Sequence, residues 1–218
     1  MNLLSSFNKI FIMGIGGSGM SSIAKYLKQK GHDVEGYDQR ISYITNLLES
    51  DGVKTCQNID NFRYQEDVLY VISSAINLED TFLENYTDSE NVISRPKFLE
   101  LLSEEVEILG ITGTHGKTST TALVSHIFHF NNKNASFIYG GVSGFGNLGG
   151  HCGDKTQPLI LETDEAFNTF KNINIKDLIV TNIDNDHIDF YESYENLIDA
   201  FNHVCLLYTS PSPRDRSS

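Results

Sequence analysis

Gly113-Thr114-His115-Gly116-Lys117-Thr118-Ser119-Thr120 is the stretch on which the reading of this chain turns. It follows the apolar run Val106-Glu107-Ile108-Leu109-Gly110-Ile111 and leads into Thr121-Ala122-Leu123-Val124-Ser125-His126-Ile127-Phe128, a helical pattern. Strand, glycine loop, Lys-Thr and helix in succession form the cradle that holds nucleoside triphosphate phosphates. Glycines let the backbone approach the phosphates, and the helix presents its free N–H groups to the anion. Lys117 would neutralise the β and γ oxygens, and the Thr118 hydroxyl would ligate Mg²⁺. Gly113, Thr114, His115, Gly116, Lys117, Thr118 and Ser119 make up this candidate triphosphate cradle. The generic pattern wants a glycine six residues before the lysine. Ile111 stands there instead, and the glycines fall at 110, 113 and 116.

Strand and helix patterns alternate on both sides of this loop. Ile10-Phe11-Ile12-Met13 predicts a buried parallel strand. Ser21 to Lys30 follows as a helix with Ile23, Ala24 and Leu27 on one face, ended by Gly31. Val34 to Tyr37 predicts a second strand closed by Asp38, and Ile41 to Ser50 a helix stopped by Asp51-Gly52. Val68 to Ile72 and Asn91 to Ser94 predict a third and a fourth strand; Pro96 to Leu102 is a helix with proline in its first turn. The pattern restarts near Glu105, with Ile108-Leu109 entering the phosphate loop and Thr118 to Phe130 as its helix. Ser136 to Tyr139 is a strand, and Gly140 to Gly153, rich in glycine and poor in apolar residues, reads as a mobile loop. Leu159-Ile160-Leu161 and Leu178-Ile179-Val180 predict two more buried strands, and Glu195 to Cys205 a helix.

This alternation predicts an α/β chain. A Rossmann-like parallel-sheet domain spans 1–104, and an incomplete P-loop α/β domain spans 105–208. Residues 209–218 carry two prolines and nothing apolar, and read as a disordered or foreign tail.

Composition narrows the partners. The formal net charge is −13, which offers no basic stripe for a nucleic-acid backbone and reads as a soluble surface. Cys56, Cys152 and Cys205 are odd in number and far apart, so neither a disulfide framework nor a structural zinc site is expected, and a reducing cytoplasm suits them. No apolar run approaches membrane-spanning length, and Met1 to Lys9 lacks the layout of a signal peptide. Nothing in the sequence speaks to oligomeric state.

Gly14-Ile15-Gly16-Gly17-Ser18-Gly19 matches G-x-G-x-x-G after a strand and before a helix, with Asp38 at the end of the next strand. That is a diphosphate-binding fingerprint; the alternative is a glycine turn that only lets a helix pack close to the sheet. Ser73 and Ser74 leave the third strand at its carboxyl end, where they could meet the same diphosphate or merely exit the sheet. Glu162, in Leu161-Glu162-Thr163-Asp164-Glu165, also closes a strand and is placed for a Mg²⁺ contact. His187, in Val180-Thr181-Asn182-Ile183-Asp184-Asn185-Asp186-His187, is either a metal or phosphate contact or a solvated side chain. Asp184, Asp186 and Asp189 lack the glycine and terminal glutamate of a calcium loop. His126 and His129 read as an exposed helical face rather than a zinc pair, and His151-Cys152 carries little expectation of metal.

As an ordered set, Gly14–Ser21, Gly113–Thr118, Glu162–Glu165 and Thr181–His187 resemble the Mur ligases of peptidoglycan synthesis, from about Lys9 to Cys205. The shifted glycine spacing is the one that family uses. The resemblance implies three domains, which bind a UDP-sugar, ATP and an amino acid, with only the first and part of the second present and the chain inactive alone. It implies cytoplasmic, ATP- and Mg²⁺-dependent joining of L-alanine to the lactyl carboxylate of UDP-N-acetylmuramate through an acyl phosphate. Residue by residue, it implies that Gly16, Gly17, Ser18, Gly19 and Met20 line the UDP diphosphate, with Asp38 near the uridine and Ser73 and Ser74 near the sugar nucleotide. It implies that ATP is the ligand of the cradle Gly113–Ser119, with Lys117, Glu162 and His187 as catalytic residues, and Thr118, Glu162 and His187 as Mg²⁺ contacts. Glu162 to Phe167 is looser than the family's usual acidic run, which weakens Asp164 and Glu165 as candidates. Two alternatives stand beside this reading. One is a murein-tripeptide recycling ligase acting on the same sugar nucleotide. The other, an NAD(P)-dependent oxidoreductase built on Gly14–Gly19 and Asp38, leaves the Lys117 loop unexplained.

Overall fold

The computed structural model describes residues 3–79, 81–143, 146–163, 172–184, 196 and 198. After a one-turn helix α1 (Leu3–Ser6), the first half builds five strands: β1 (Lys9–Met13), β2 (Asp33–Tyr37), β3 (Lys54–Cys56), β4 (Val68–Ile72) and β5 (Val92–Ser94). They form one parallel sheet in the order β3-β2-β1-β4-β5. Helices α2 (Ser18–Lys30) and α3 (Tyr43–Ser50) connect β1 to β2 and β2 to β3, and α4 (Arg95–Ser103) leads from β5 into the second half. β1 is central and covered on both faces, which is why it reads as an unbroken apolar run. Ile10 and Ile12 pack with Ile23 and Leu27 of α2. On the opposite face Phe11 meets Phe62 at 5.0 Å and Phe82 at 5.9 Å, so aromatic loop residues rather than a helix close that side.

The second half builds β6 (Ile108–Thr112), α5 (Lys117–Phe130), β7 (Ser136–Val142), β8 (Leu148–His151), β9 (Leu159–Glu162) and β10 (Ile175–Val180). The sheet order is β10-β6-β9-β7-β8, parallel except for β8, which pairs antiparallel with β7. The α/β class and the two successive sheets agree with the expectation.

Four expectations are corrected. The short strand β3 was not anticipated, because Lys54-Thr55-Cys56 shows no apolar pattern; pairing with β2 alone defines it. The stretch Gly140–Gly153 is not a mobile loop, because it contains the end of β7 and all of β8. Its glycines are there for close packing. A Cβ on Gly150 would stand 2.0 Å from the Ser22 carbonyl oxygen, and one on Gly149 2.3 Å from that of Tyr139. The strand at Leu178–Val180 is a sheet edge rather than fully buried, with Ile179 36% exposed. The helix expected from Ile41 starts at Tyr43, because Ser42 caps it: Thr45 N–H donates to Ser42 Oγ (3.2 Å) and Ser42 N–H to Thr45 Oγ1 (2.8 Å). The tail 209–218 lies outside the described residues, as does the predicted helix at 195–205 apart from Asn196 and Ile198, which are helical.

The two sheets share α2. Its Ser21 and Ser22 are fully buried, and the Ser22 hydroxyl donates to the Tyr139 carbonyl of β7 at 2.7 Å. Cys152 N–H donates to Gln29 Oε1 (2.9 Å), and Lys30 pairs with Glu105 at 2.6 Å. No described helix is long and apolar enough to cross a membrane.

Candidate functional site

The phosphate loop leaves β6 with Gly113 at φ +130° and enters α5 through Gly116 at φ +79°, both left-handed values that favour glycine. Gly113 is also forced by contact: a Cβ there would stand 2.2 Å from Thr181 Oγ1 and 2.7 Å from the Asn182 carbonyl oxygen. The segment after β10 straps the loop. Thr114 N–H donates to the Asn182 carbonyl (3.1 Å) and His115 N–H to Asn182 Oδ1 (2.9 Å), while Asn182 Nδ2 donates back to the His115 carbonyl (2.9 Å). Thr181 Oγ1 donates to the same carbonyl at 2.7 Å, and Asp184 N–H to Thr114 Oγ1 at 2.9 Å. Thr114, His115, Gly116, Lys117, Thr118 and Ser119 line a cleft of about 290 Å³. Lys117 Nζ lies over the loop, donating to the carbonyls of Gly113 (2.6 Å) and Thr114 (3.1 Å).

Glu162, at the end of β9, joins this cleft. Its Oε1 accepts from Thr118 Oγ1 at 2.8 Å and its Oε2 from the Gly140 N–H at 2.7 Å. Two hard oxygens therefore meet at one point. Adjacent ligands of an octahedral Mg²⁺ stand ~2.9 Å apart, so this pair has the spacing such an ion needs.

The first glycine loop leaves β1 where the strand order reverses between β2 and β4, the place where open α/β sheets bind ligands. Gly14 has φ +80°, and a Cβ on it would press on Ser73 at 2.9 Å. Ser73 therefore borders the loop; its Oγ accepts from Ala75 N–H at 3.3 Å, while Ser74 is exposed. Gly17, Ser18 and Gly19 open α2, whose first turn carries no acid. The Met20 side chain is 2% exposed in the core, so only its backbone faces the loop. Asp38 does not stand free beside a ribose site. Its Oδ2 accepts from Gly16 N–H (2.9 Å) and its Oδ1 from Arg40 N–H (3.1 Å). It latches the glycine loop.

Sequence reasoning missed three groups. The Arg95 guanidinium lies against Gly19, within 3.1–3.2 Å of where a Cβ would sit. The signal was Ser94-Arg95-Pro96 at the carboxyl end of a strand. Gly140 stands in no motif, and the Thr181–Asn182 strap lies within the Thr181–His187 motif, where spacing alone does not show that it holds the phosphate loop. His187, Asp164 and Glu165 lie outside the described residues. Among the described residues no group of three His, Cys, Asp or Glu is placed to hold a metal ion.

The two cradles face one another. A Cβ on Gly140 would stand 3.4 Å from Ser18 Oγ of the first loop and 3.7 Å from Glu162 Oε2 of the second.

Comparison with known proteins agrees with this two-part layout. Residues 9–107 match the Mur ligase family catalytic domain, and residues 111–210 match the Mur ligase middle domain. A UDP-N-acetylmuramate–L-alanine ligase of Cytophaga hutchinsonii is 30% identical over 209 residues, covering 91% of this chain and 45% of the relative. The crystal structure of the UDP-N-acetylmuramate-alanine ligase of Thermotoga maritima superposes with a TM-score of 0.78 at 27% identity, covering 91% of this chain and 47% of that one. A Neisseria UDP-N-acetylmuramate:L-alanyl-γ-D-glutamyl-meso-diaminopimelate ligase shares the fold, with a TM-score of 0.77 at 20% identity, over 94% of this chain and 70% of that one. The chain thus spans less than half the length of the curated relatives it matches. With one family model over its first sheet and a second over its phosphate-loop sheet, the chain belongs to the Mur ligase family.

Proposed function

We propose that this chain supplies the sugar-nucleotide and ATP sites of a ligase that joins L-alanine to the lactyl carboxylate of UDP-N-acetylmuramate. The observation that carries this reading is the convergence of two phosphate cradles at Ser18, Gly140 and Glu162. A single-nucleotide enzyme has no need of a second cradle facing the first. A carboxylate-activating ligase must bring a donor phosphate up to an acceptor held by a different site. The relatives' names supply the substrates. The boundaries 1–104 and 105–208 mark the two binding units we assign.

A carboxylate is a poor acyl donor at neutral pH. Transfer of the ATP γ-phosphoryl group to it gives an acyl phosphate and ADP; the alanine amine then attacks the acyl carbon and phosphate leaves. Such transfer depends on positioning and charge neutralisation more than on a covalent protein group. Lys117 Nζ, already over the loop, brings positive charge to the transferring group. The N–H groups opening α5 bind the phosphates. Thr118 and Glu162 would hold Mg²⁺, with His187 as a second contact carried over from the family motif. Bound there, the ion would screen charge between ATP and acceptor. Gly17, Ser18, Gly19 and the backbone of Met20 take the UDP diphosphate, with Ser73 and Ser74 beside it. The reducing cytoplasm, which suits the scattered cysteines, is the compartment we assign.

The oxidoreductase alternative leaves the Lys117 loop and its Thr118–Glu162 contact without a role. Calorimetry tests the assignment with UDP-N-acetylmuramate, ATP·Mg²⁺ and NAD⁺ titrated separately into the chain. The first two bind and the third does not. Tight NAD⁺ binding with no response to the UDP-sugar overturns the assignment.

A further inference from the structure

A cavity of about 360 Å³ opens at the edge of the second sheet opposite the phosphate loop. Val106 just ahead of β6, Ser136 at the start of β7 and Leu159 at the start of β9 line it, so it lies at the amino ends of these strands. The length of β6, roughly 17 Å, separates it from the cleft at Lys117. Its other wall is the end of α2, with Tyr26, Gln29 and Lys30. Two buried polar groups on this lining have unmet hydrogen bonds. Tyr26 is 2% exposed, and among the described residues its hydroxyl makes no hydrogen bond. Burial raises its pKa, so the phenol stays protonated and able to donate. Glu105 Oε2 accepts from Lys30 Nζ at 2.6 Å, but Glu105 Oε1 is buried with no donor. The Glu105 charge adds to the rise at Tyr26, which places the two groups near one another. A buried carboxylate oxygen costs stability until something donates to it.

We propose that this cavity is a binding site for a zwitterionic α-amino acid with a small apolar side chain. The ligand's ammonium donates to Glu105 Oε1, and its carboxylate accepts from the Tyr26 hydroxyl. The exposed Lys155 ammonium stands on the same lining as a second partner for the carboxylate. Gln29 is a third, because its Oε1 already accepts from Cys152 N–H and its amide NH₂ is left to donate. Half-buried Val106 and buried Leu159 supply apolar surface for the side chain. The charges on the lining balance, Lys30 and Lys155 against Glu105 and Asp154. A nucleotide, with its net negative charge, therefore meets no net positive field here, whereas a zwitterion meets both signs. The volume is at the small end of ligand sites, which suits a molecule of this size. The site stands apart from the ligase reading, since its residues line neither cradle. Because it is built from α2 on one side and the second half on the other, its occupant ties the two together.

Calorimetry at neutral pH tests this with L-valine, N-acetyl-L-valine and L-valinamide as probes. The first carries both charges, the second lacks the ammonium and the third lacks the carboxylate. Each is titrated into the wild-type chain, Tyr26→Phe and Lys155→Ala. L-valine should saturate one site on the wild type, and each blocked form should bind about tenfold more weakly or worse. Both variants should lose about fivefold or more in L-valine affinity and keep wild-type affinity for ATP·Mg²⁺. Tyr26→Phe keeps the ring, and its thermal midpoint checks the fold; should that midpoint fall, Lys155→Ala decides, because its side chain is exposed. No saturable heat with L-valine up to about 10 mM overturns the proposal. So does a blocked form that binds as well as L-valine, and so does unchanged affinity in both variants. L-valine binding as expected with no response to ATP·Mg²⁺ or to UDP-N-acetylmuramate supports this site and counts against the ligase reading alone.

Discussion

Glu162 is the residue on which the phosphate-loop cleft is assembled, because each of its oxygens is committed to a different element. Oε1 takes the Thr118 hydroxyl of α5 and Oε2 the Gly140 N–H of β7. Hydrogen bonds to an ionised carboxylate are roughly twice as strong as neutral ones, so the charge itself helps set this geometry. Glu162→Gln keeps the shape and removes the charge on which the proposed hold on Mg²⁺ depends. ATP·Mg²⁺ affinity should fall by about tenfold or more while UDP-N-acetylmuramate affinity holds, as read by calorimetry. An equal fall for both ligands would mean that the substitution has only loosened the fold. Asp38 offers a second test at this scale. Asp38→Ala frees the Gly16 N–H and loosens the first loop, so UDP affinity should drop several-fold with ATP binding intact.

At the scale of elements, the β7–β8 hairpin is the piece whose reading from sequence failed, and its physics explains why. Strand patterns are legible when apolar side chains alternate or run together, as in Ile10–Met13 and Leu159–Leu161. β8 is Leu148-Gly149-Gly150-His151, where small size rather than apolar area is what packs against α2. Likewise the phosphate loop and the glycine fingerprint were legible from local spacing. The strap from Thr181 and Asn182, the Arg95 contact and the seam at Gly140 were not, since each depends on residues far apart in sequence. Gly150→Ala tests the packing claim. With the Ser22 carbonyl 2.0 Å from the new methyl, backbone must move, and a loss of about 3 kcal/mol is expected, or roughly 6–12 °C in thermal midpoint. A midpoint within a degree of wild type would show that the hairpin does not dock on α2 this way. His151, at the end of β8, adds a pH dependence. Burial, with help from His129 and Lys25, holds its pKa below the ordinary 6.5. The unfolded chain therefore takes up this proton at a higher pH than the native one. The stability from a neutral His151 is fully present above about pH 6.5 and is lost as pH falls through its native pKa. Urea midpoints should decline from pH 7 toward pH 5, and His151→Asn should flatten that decline.

At the scale of the whole molecule, α2 determines whether the two sheets behave as one body. It opens with the first glycine cradle, packs Ile23 and Leu27 on the first sheet, and gives Ser22 to Tyr139 and Gln29 to Cys152 of the second half. Ser22 and Tyr139 share a fully buried hydrogen bond, so separating the sheets gives up about 0.5–1.5 kcal/mol there as both groups turn to water. Lys30 and Glu105 add a partly buried ion pair, less screened by solvent than a surface one, where the two halves of the chain join. Opening either sheet therefore exposes apolar and polar surface of both, and the cheapest route to unfolding is for both to go together. Ligand binding makes this measurable. A ligand at 100 times its dissociation constant stabilises the form that binds it by about 2.7 kcal/mol. If α2 couples the sheets, UDP-N-acetylmuramate bound only at the first cradle must slow amide hydrogen exchange in both cores. Ile10 and Ile12 of β1 report on the first sheet, Ile160 and Leu161 of β9 on the second, and all four are fully buried. Their exchange rates in native conditions should fall together, by a factor of about 100 at that ligand concentration. Slowing confined to Ile10 and Ile12 would mean that the sheets open independently and that the shared helix is a contact rather than a coupling.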